Sequence, residues 1–314
     1  MANISGTDLD VFGLCLGTNV FGWTAGEDDT FAVLDQYLEA GGNFLDTADV
    51  YSAWVDGNEG GESETLIGRW MADRGVRDRV VVATKVGSMP GLAGLRADTI
   101  RAAVEDSLRR LRVDAIDLLY AHKDDPDTPQ EETLAAFDAL VREGKVRHIA
   151  ASNFTADRLR SALDISEREG LARYVALQPM YNLLERDIEG ELLDLCAERD
   201  VAVIPYYGLA RGFLTGKYRP GGPAVDSPRA GAAAAYLEDP AAVAALERLD
   251  AIAAARDTTP SAVALAWVRQ QPAVAAPIAS ARSVEQLEQI LPGATLELSG
   301  DEIADLRAAA QASG

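Results

Sequence analysis

Residues 80–125 read "VVVATKVGSMPGLAGLRADTIRAAVEDSLRRLRVDAIDLLYAHKDD". The stretch opens on a β-branched run and turns into "DTIRAAVEDSLRRL", whose apolar residues recur at three- and four-residue spacing. It then enters a second apolar run, "AIDLLYAH". Strand, helix and strand in that order require a crossover. Such crossovers are right-handed and leave the two strands parallel.

The same unit recurs in both directions along the chain. Strand-like runs stand at "LCLGT" near 14, "NFLDT" near 43, "VRHIAASN" near 146, "YVALQP" near 174, "VAVIPYY" near 201 and "VAAPIAS" near 274. Helical patterns such as "TFAVLDQYLEAGG", "SETLIGRWMADRG" and "EETLAAFDALVREG" lie between them, and several end in Gly. The first seven runs start about 27 to 37 residues apart, and the last gap is near 73. That gap holds "RPGGPAVDSPRAGAAAAYLEDP", which reads as a long loop with a helix after it. Eight units favour a closed (β/α)8 TIM barrel over a doubly wound sheet, and no G-x-G-x-x-G follows the first strand. The early "TDLDVFGLCLG" supplies an N-terminal β-hairpin at the barrel's bottom. No composition shift marks a linker, so residues 1–314 are expected to form a single domain.

A net charge of −21 argues against non-specific nucleic-acid binding. Arg supplies 25 of the 29 basic residues and Lys four, so an anionic ligand must find local positive charge. No apolar stretch approaches the roughly 18 residues of a membrane span. The N-terminus lacks a basic region followed by an apolar run, and a cytoplasmic protein is expected. Cys15 and Cys196 are too few for a disulfide framework and lie in no metal-ligand spacing. No metal site is expected.

Barrel chemistry collects where strands end. Reading those positions gives Asp46 and Tyr51 after the second strand, Lys85 in the third and His122 at the end of the fourth. The later strands end with Ser152 and Asn153, Gln178, and Tyr206. Asp46 alone could be a turn cap, Tyr51 alone loop packing and His122 alone a satisfied core histidine. Lys85 inside "VVVATKVG" is costly to bury unpaired. Together the four polar residues point to proton transfer to a carbonyl. A free phenol has a pKa near 10, and an adjacent ammonium is expected to favour phenolate. Asp46 would hold that ammonium charged, and His122 would orient the substrate oxygen.

The motifs "GGNFLDTADVYS", "VVVATKVG", "DLLYAHKDDPDTP", "GKVRHIAASNF", "LQPMYN" and "GFLTGKY" occur in the order found in aldo-keto reductases. The resemblance runs from about Leu9 to Leu306. It implies a barrel that binds NADPH/NADP+ along its carboxyl-end face, with NADH a weaker partner. It implies Tyr51 as general acid, Asp46 and Lys85 as its tuning pair, and His122 as the orienting residue. Cofactor positions carried over by motif are Gly17, Thr18, Asp46, Ser152, Asn153 and Gln178, with Tyr206 stacking on the nicotinamide. Leu209, Arg211 and Lys217 would line the pyrophosphate, and Ser280, Arg282 and Gln286 the adenosine phosphate and adenine. Related sequences often end that last motif in Glu-Asn, where this chain has Gln289 and Ile290. An apolar residue at 290 cannot donate a hydrogen bond to adenine. The segment "PYYGLARG" carries Tyr207 and Gly208 in place of a commoner Ser-Pro.

The implied reaction is reversible reduction of a small aldehyde or ketone. Phe21, Trp23 and Trp54 are candidate substrate walls, or equally loop anchors. A cofactor-sensing regulatory subunit of the same fold is the alternative. The segment Tyr218 to Tyr236, rich in Gly, Pro and Ala, is expected to be a weakly anchored loop over the cofactor face, ordering when cofactor binds.

Overall fold

The apolar runs pair into one sheet in the computed structural model, which describes residues 1–225, 227 and 230–311. An antiparallel pair comes first, β1 (Ala2–Asn3) with β2 (Asp10–Val11). The first barrel strands are β3 (Cys15–Gly17), β4 (Phe44–Asp46) and β5 (Val81–Val86). A small antiparallel pair, β6 (Ser88–Met89) and β7 (Leu92–Ala93), decorates the next loop. The barrel continues through β8 (Ile116–Ala121), β9 (Val146–Ser152), β10 (Tyr174–Gln178), β11 (Ala202–Val203) and β12 (Ile278–Ala279).

The eight long-range strands run in the order β11-β10-β9-β8-β5-β4-β3-β12, and every pairing is parallel. The two edges meet. The Val203 amide donates to Ala273 O at 2.7 Å, Ala275 N to Val203 O at 2.9 Å, and Ile278 N to Pro205 O at 2.8 Å. The expected (β/α)8 barrel is what the chain forms, closed by loop-borne bonds beside its shortest strands.

Helices follow the strands as the spacing predicts: α1 (Glu27–Glu39), α2 (Glu62–Arg74), α3 (Ala97–Leu111), α4 (Gln130–Arg142), α5 (Ala156–Glu169) and α6 (Glu191–Glu198). In α3 the three- and four-residue rhythm buries Ile100, Ala103, Val104, Leu108 and Leu111. Each such aliphatic side chain contributes roughly 1.5–3 kcal/mol when fully buried. The helix stops at Arg112, which takes a left-handed conformation with φ +56°.

Strands buried on both faces need apolar residues at both phases of their alternation. In β8, Leu118 and Tyr120 join the cluster inside the barrel, whereas Ile116, Leu119 and Ala121 join the layer under the helices. The hairpin completes the inner cluster, because Ile4, Leu9 and Val11 pack with Cys15, Phe44 and Val81. It begins at Ala2, earlier than the run read from sequence, and residues 15–17 of that run are a barrel strand.

The long gap after β11 holds a short 3-10 turn at Ala210–Thr215, then α7 (Ala230–Ala234), a 3-10 turn at Ala235–Glu238, α8 (Pro240–Ala255) and α9 (Pro260–Arg269). The segment expected to be weakly anchored is tied down at its described ends. Tyr218 and Ala233 are buried. The Tyr236 ring packs on Phe213 with centroids 5.3 Å apart, and its hydroxyl donates to Glu185 at 2.7 Å. Asp226, Pro228 and Arg229 of that segment lie outside the described residues. Asp239 caps α8 through its side chain, with Pro240 at the first helical position. After β12 come α10 (Val284–Ile290) and α11 (Gly300–Ala309), the latter opened by a Ser299–Glu302 capping box. Among the described residues no helix is long and apolar enough to cross a membrane.

Candidate active site

The tetrad expected from sequence converges because three parallel neighbours, β4, β5 and β8, end at the same rim. Asp46 is the last residue of β4, Lys85 the penultimate residue of β5, and His122 follows β8 directly. Tyr51 returns to them on a turn stitched by Tyr51 N to Ala48 O at 3.2 Å, with Ser52 at φ +71° donating its Oγ to Phe21 O at 2.8 Å.

Lys85 is only 1% exposed, yet its ammonium is fully hydrogen-bonded. Nζ donates to Asp46 Oδ2 at 2.7 Å, to Thr47 O at 2.8 Å and to the Tyr51 hydroxyl oxygen at 2.8 Å. Three donors meet three acceptors, the full complement of an ammonium. The other carboxylate oxygen, Asp46 Oδ1, accepts from Gln178 Nε2 at 2.8 Å. A buried ion pair is tolerated when its remaining polar atoms are satisfied in this way.

One expectation is reversed. The Tyr51 phenol is held well above its ordinary value, first by burial and then by the Asp46 carboxylate, whose Oδ2 lies 3.4 Å from the hydroxyl. Lys85 donates to the phenol oxygen at 2.8 Å, but burial and the Asp46 carboxylate together outweigh it. Tyr51 therefore keeps its proton at neutral pH, the form a proton donor needs. His122 is pushed down to about 3 by burial, Lys85 and Lys123, so its ring is neutral. Its Nδ1 is buried without a partner.

Tyr51 and His122 sit in the wall of a cavity of about 640 Å³. Gly17 lines it, and a Cβ there would come within 2.7 Å of Ile278 Cγ2 and 2.8 Å of Ser280 Oγ, so only glycine fits between β3 and β12. Asp46, Ser152, Asn153, Gln178 and Tyr206 line it. Leu209, Arg211, Lys217, Ser280, Arg282 and Gln286 line it as well, joined by Gln289 and the nearly buried Ile290. Among the described residues Arg282 has no ion-pair partner.

Three expected residues lie elsewhere. Lys85 is beneath the wall. Thr18 turns its hydroxyl to Asp46 O at 2.9 Å and to Ser63 Oγ at 2.7 Å, fixing the end of β4 and not facing the cavity. Phe21 is core and fully buried. Trp23 and Trp54 do line the cavity, edge to face at 5.7 Å.

Sequence reading missed Asn19, Ser88, Tyr207 and Ser261, which also line it. Asn19 accepts from Ser280 Oγ at 2.8 Å across nearly the whole chain length, and no local pattern signals that contact. Tyr207 has φ +57°, as does Arg211, whose guanidinium lies 5.1 Å from the Tyr207 ring centre. Asp49 was also passed over. Both of its carboxyl oxygens are buried without a hydrogen-bond partner, and burial and the nearby Glu64 raise it to about 7. Glu64 itself accepts from Arg110 Nε at 2.6 Å and Thr84 Oγ1 at 2.5 Å.

Among the described residues no group of three or more potential metal ligands occurs, and Cys15 and Cys196 are buried free thiols. A sequence model of the aldo/keto reductase family matches residues 13–311. An uncharacterized oxidoreductase, YrpG, of Bacillus subtilis is 36% identical over 303 residues, covering 93% of this chain and 90% of the relative. Norsolorinic acid reductase stcV of Emericella nidulans is 33% identical, covering 93% of this chain and 76% of the relative. Aldo-keto reductase str7 of Strobilurus tenacellus is 33% identical, covering 93% and 84%. A barrel with this rim, matched by the family over nearly its whole length, leaves one conclusion: the chain belongs to the aldo/keto reductase family of NAD(P)H-dependent oxidoreductases.

Proposed function

We propose that this protein reduces an aldehyde or ketone to the alcohol with NADPH, in the cytoplasm, with Tyr51 as the proton donor. The observation that carries the reading is the buried Lys85 ammonium, which touches both Asp46 and the Tyr51 hydroxyl, two groups that line the cavity. The cavity fits the cofactor in character. The Gln178 amide bonds Asp46 and the Asn153 amide bonds His122 O, and the Tyr206 ring, Arg211 and Arg282 also line the cavity, the last two bringing positive charge on a strongly acidic chain. When bound, the nicotinamide supplies the hydride.

The residues themselves handle the proton and the charge. Tyr51, protonated at neutral pH, donates to the substrate oxygen as charge develops there. The phenolate left behind is stabilised by the ammonium at 2.8 Å, an interaction that strengthens only as the proton leaves and so lowers the barrier. Asp46 keeps the ammonium in place. The neutral His122 ring can donate one N–H to the same oxygen without competing as a base. Trp23 and Trp54 form an aromatic wall suited to flat carbonyl compounds or to sugar faces.

NADPH consumption screened over sugars, aliphatic aldehydes, aromatic ketones and diketones tests the reading, and inertness towards every class would overturn it. Arg282 assigns the cofactor. A guanidinium offers a planar fork to a 2′-phosphate. Arg282→Ala should weaken NADPH binding roughly 10- to 100-fold, as for loss of a charged hydrogen bond, and leave NADH binding nearly unchanged. Fluorescence titration of both dinucleotides reads this out, and an unaltered preference for NADPH would rule the assignment out.

A further inference from the structure

The loops that lead from β3 to α1 and from β4 to α2 are stitched to each other. Ser52 Oγ donates to Phe21 O at 2.8 Å, and Asn58 Nδ2 to Gly22 O at 3.0 Å. Gly22 has φ +74°, and a Cβ there would come within 2.7 Å of Glu62 Cβ, so the first loop packs tightly against the start of α2. Within the second loop, turn bonds join Ala53 N to Val50 O at 3.1 Å, Val55 N to Ser52 O at 3.1 Å and Asn58 N to Val55 O at 3.0 Å. Trp23 and Trp54 ride on this joined pair. Trp54 is 49% exposed, a large apolar side chain left open to solvent, yet its ring is held by Trp23 at 5.7 Å and by Tyr51 at 6.2 Å. An indole kept rigid and half in solvent offers a binding face at little ordering cost.

What the two loops present to a ligand is mostly apolar. Beside Tyr51 they line the cavity with Asn19, Val20, Trp23, Thr24, Val50 and Trp54. The side chains of Ser52 and Asn58, which could have met a hydroxylated ligand, are spent on the stitching, and Asn19 accepts from Ser280. The charge is one-sided. Residues 18–30 and 47–68 contain no Lys or Arg. Arg69 and Arg110 pair with Glu27 and Glu64 from outside those stretches. Asp28, Asp29, Asp56 and Glu59 have no ion-pair partner among the described residues. Arg211, Lys217 and Arg282 also line the cavity, and the reading above assigns them to the cofactor's phosphates.

We propose that the Trp23–Trp54 pair selects uncharged aromatic aldehydes and ketones, and that the acidic loops around it turn away carbonyl compounds bearing a carboxylate or phosphate. The inference rests on the carbonyl-reductase reading and chooses among the flat and sugar-like substrates that reading allows. A ring packed on Trp54 brings the carbonyl it bears within reach of the Tyr51 hydroxyl. The carbonyl carbon gains the hydride and the oxygen gains the Tyr51 proton. An aryl aldehyde thus leaves as the benzylic alcohol, and NADPH as NADP+.

Three aldehydes test this at saturating NADPH: methyl 4-formylbenzoate, its free carboxylate 4-formylbenzoate, and glyceraldehyde as a small hydroxylated reference. At low salt the ester should exceed the carboxylate roughly 10-fold in kcat/KM, and the gap should narrow at high salt as the repulsion is screened. Trp54→Ala should lower kcat/KM for the ester roughly 3- to 10-fold more than for glyceraldehyde, the span of a lost aromatic contact, and Trp54→Phe should keep most of the preference. A carboxylate used as well as the ester, or a gap indifferent to salt, would overturn the charge selection. Equal losses for ester and glyceraldehyde in Trp54→Ala would overturn the aromatic one. If wild type consumes NADPH with none of the three nor with any other carbonyl class, the proposed function itself fails and this inference with it.

Discussion

Tyr51→Phe should lower carbonyl reduction by about 10² to 10⁴, the usual contribution of a positioned general acid, or about 3 to 5 kcal/mol of barrier. The substitution removes one oxygen and keeps the ring that packs edge to face on Trp54 and His122. NADPH affinity should therefore change little. Lys85→Met should be as inactive and less stable as well, because Asp46 would remain buried without its counter-charge. Removing one partner of a buried ion pair costs about 3–5 kcal/mol. Single-turnover hydride transfer and the NADPH dissociation constant, measured on the same preparations, separate the two effects. Wild-type hydride transfer by Tyr51→Phe on an active substrate would disprove the proton-donor role. A cofactor-sensing barrel with little turnover would show no rate to lose and an intact dissociation constant.

Asp49→Asn should make the protein more stable, and more so as pH rises. The carboxyl is 1% exposed with no hydrogen-bond partner, and it faces Glu64 on α2, Arg110 on α3 and Lys85 on β5. Burial and Glu64 raise it from 3.8 to about 7, against smaller opposing pulls from Arg110, the Val50 backbone amide, which lies too poorly placed for a formed hydrogen bond, and Lys85. The folded chain thus holds a proton that the unfolded chain releases at lower pH. Stability falls as pH rises from about 4 to about 7, and the full penalty persists above that. A shift of this size corresponds to an order-of-magnitude penalty of about 4 kcal/mol at 1.36 kcal/mol per unit. Asparagine has nearly the same shape and never ionises. Urea unfolding at pH 5.5 and 8.5 should show the variant ahead of wild type by a margin that widens at the higher pH. A constant margin, or a variant less stable at both, would show that Asp49 is not the titrating group.

Much of the barrel was legible because its signals are local. Runs such as "AIDLLYAH" and the three- and four-residue rhythm of "DTIRAAVEDSLRRL" report what each segment buries, and parallel crossovers follow from their alternation. The tetrad was legible for a related reason. A lysine within "VVVATKV" has to be paired, and strand ends are where a barrel can place the partner. The loop after β11 was read less well. Its Gly, Pro and Ala residues suggest few anchors, but Tyr236 reaches out of the segment to Phe213 and Glu185.

By itself, then, the sequence determined the eightfold strand-helix order and the candidates Asp46, Tyr51, Lys85 and His122, since periodicity and the cost of burying charge operate residue by residue. Tertiary structure alone decided that Phe21 and Thr18 turn away from the cavity and that Asn19 meets Ser280 across the chain. It also decided that Asp49 is stranded without a partner and that burial and Asp46 together raise the Tyr51 phenol that Lys85 was expected to lower. Each of these depends on which distant groups the fold brings together and on how far it buries them. Electrostatic interactions there are set by distance and by the exclusion of water, and neither quantity is encoded in any one stretch of chain.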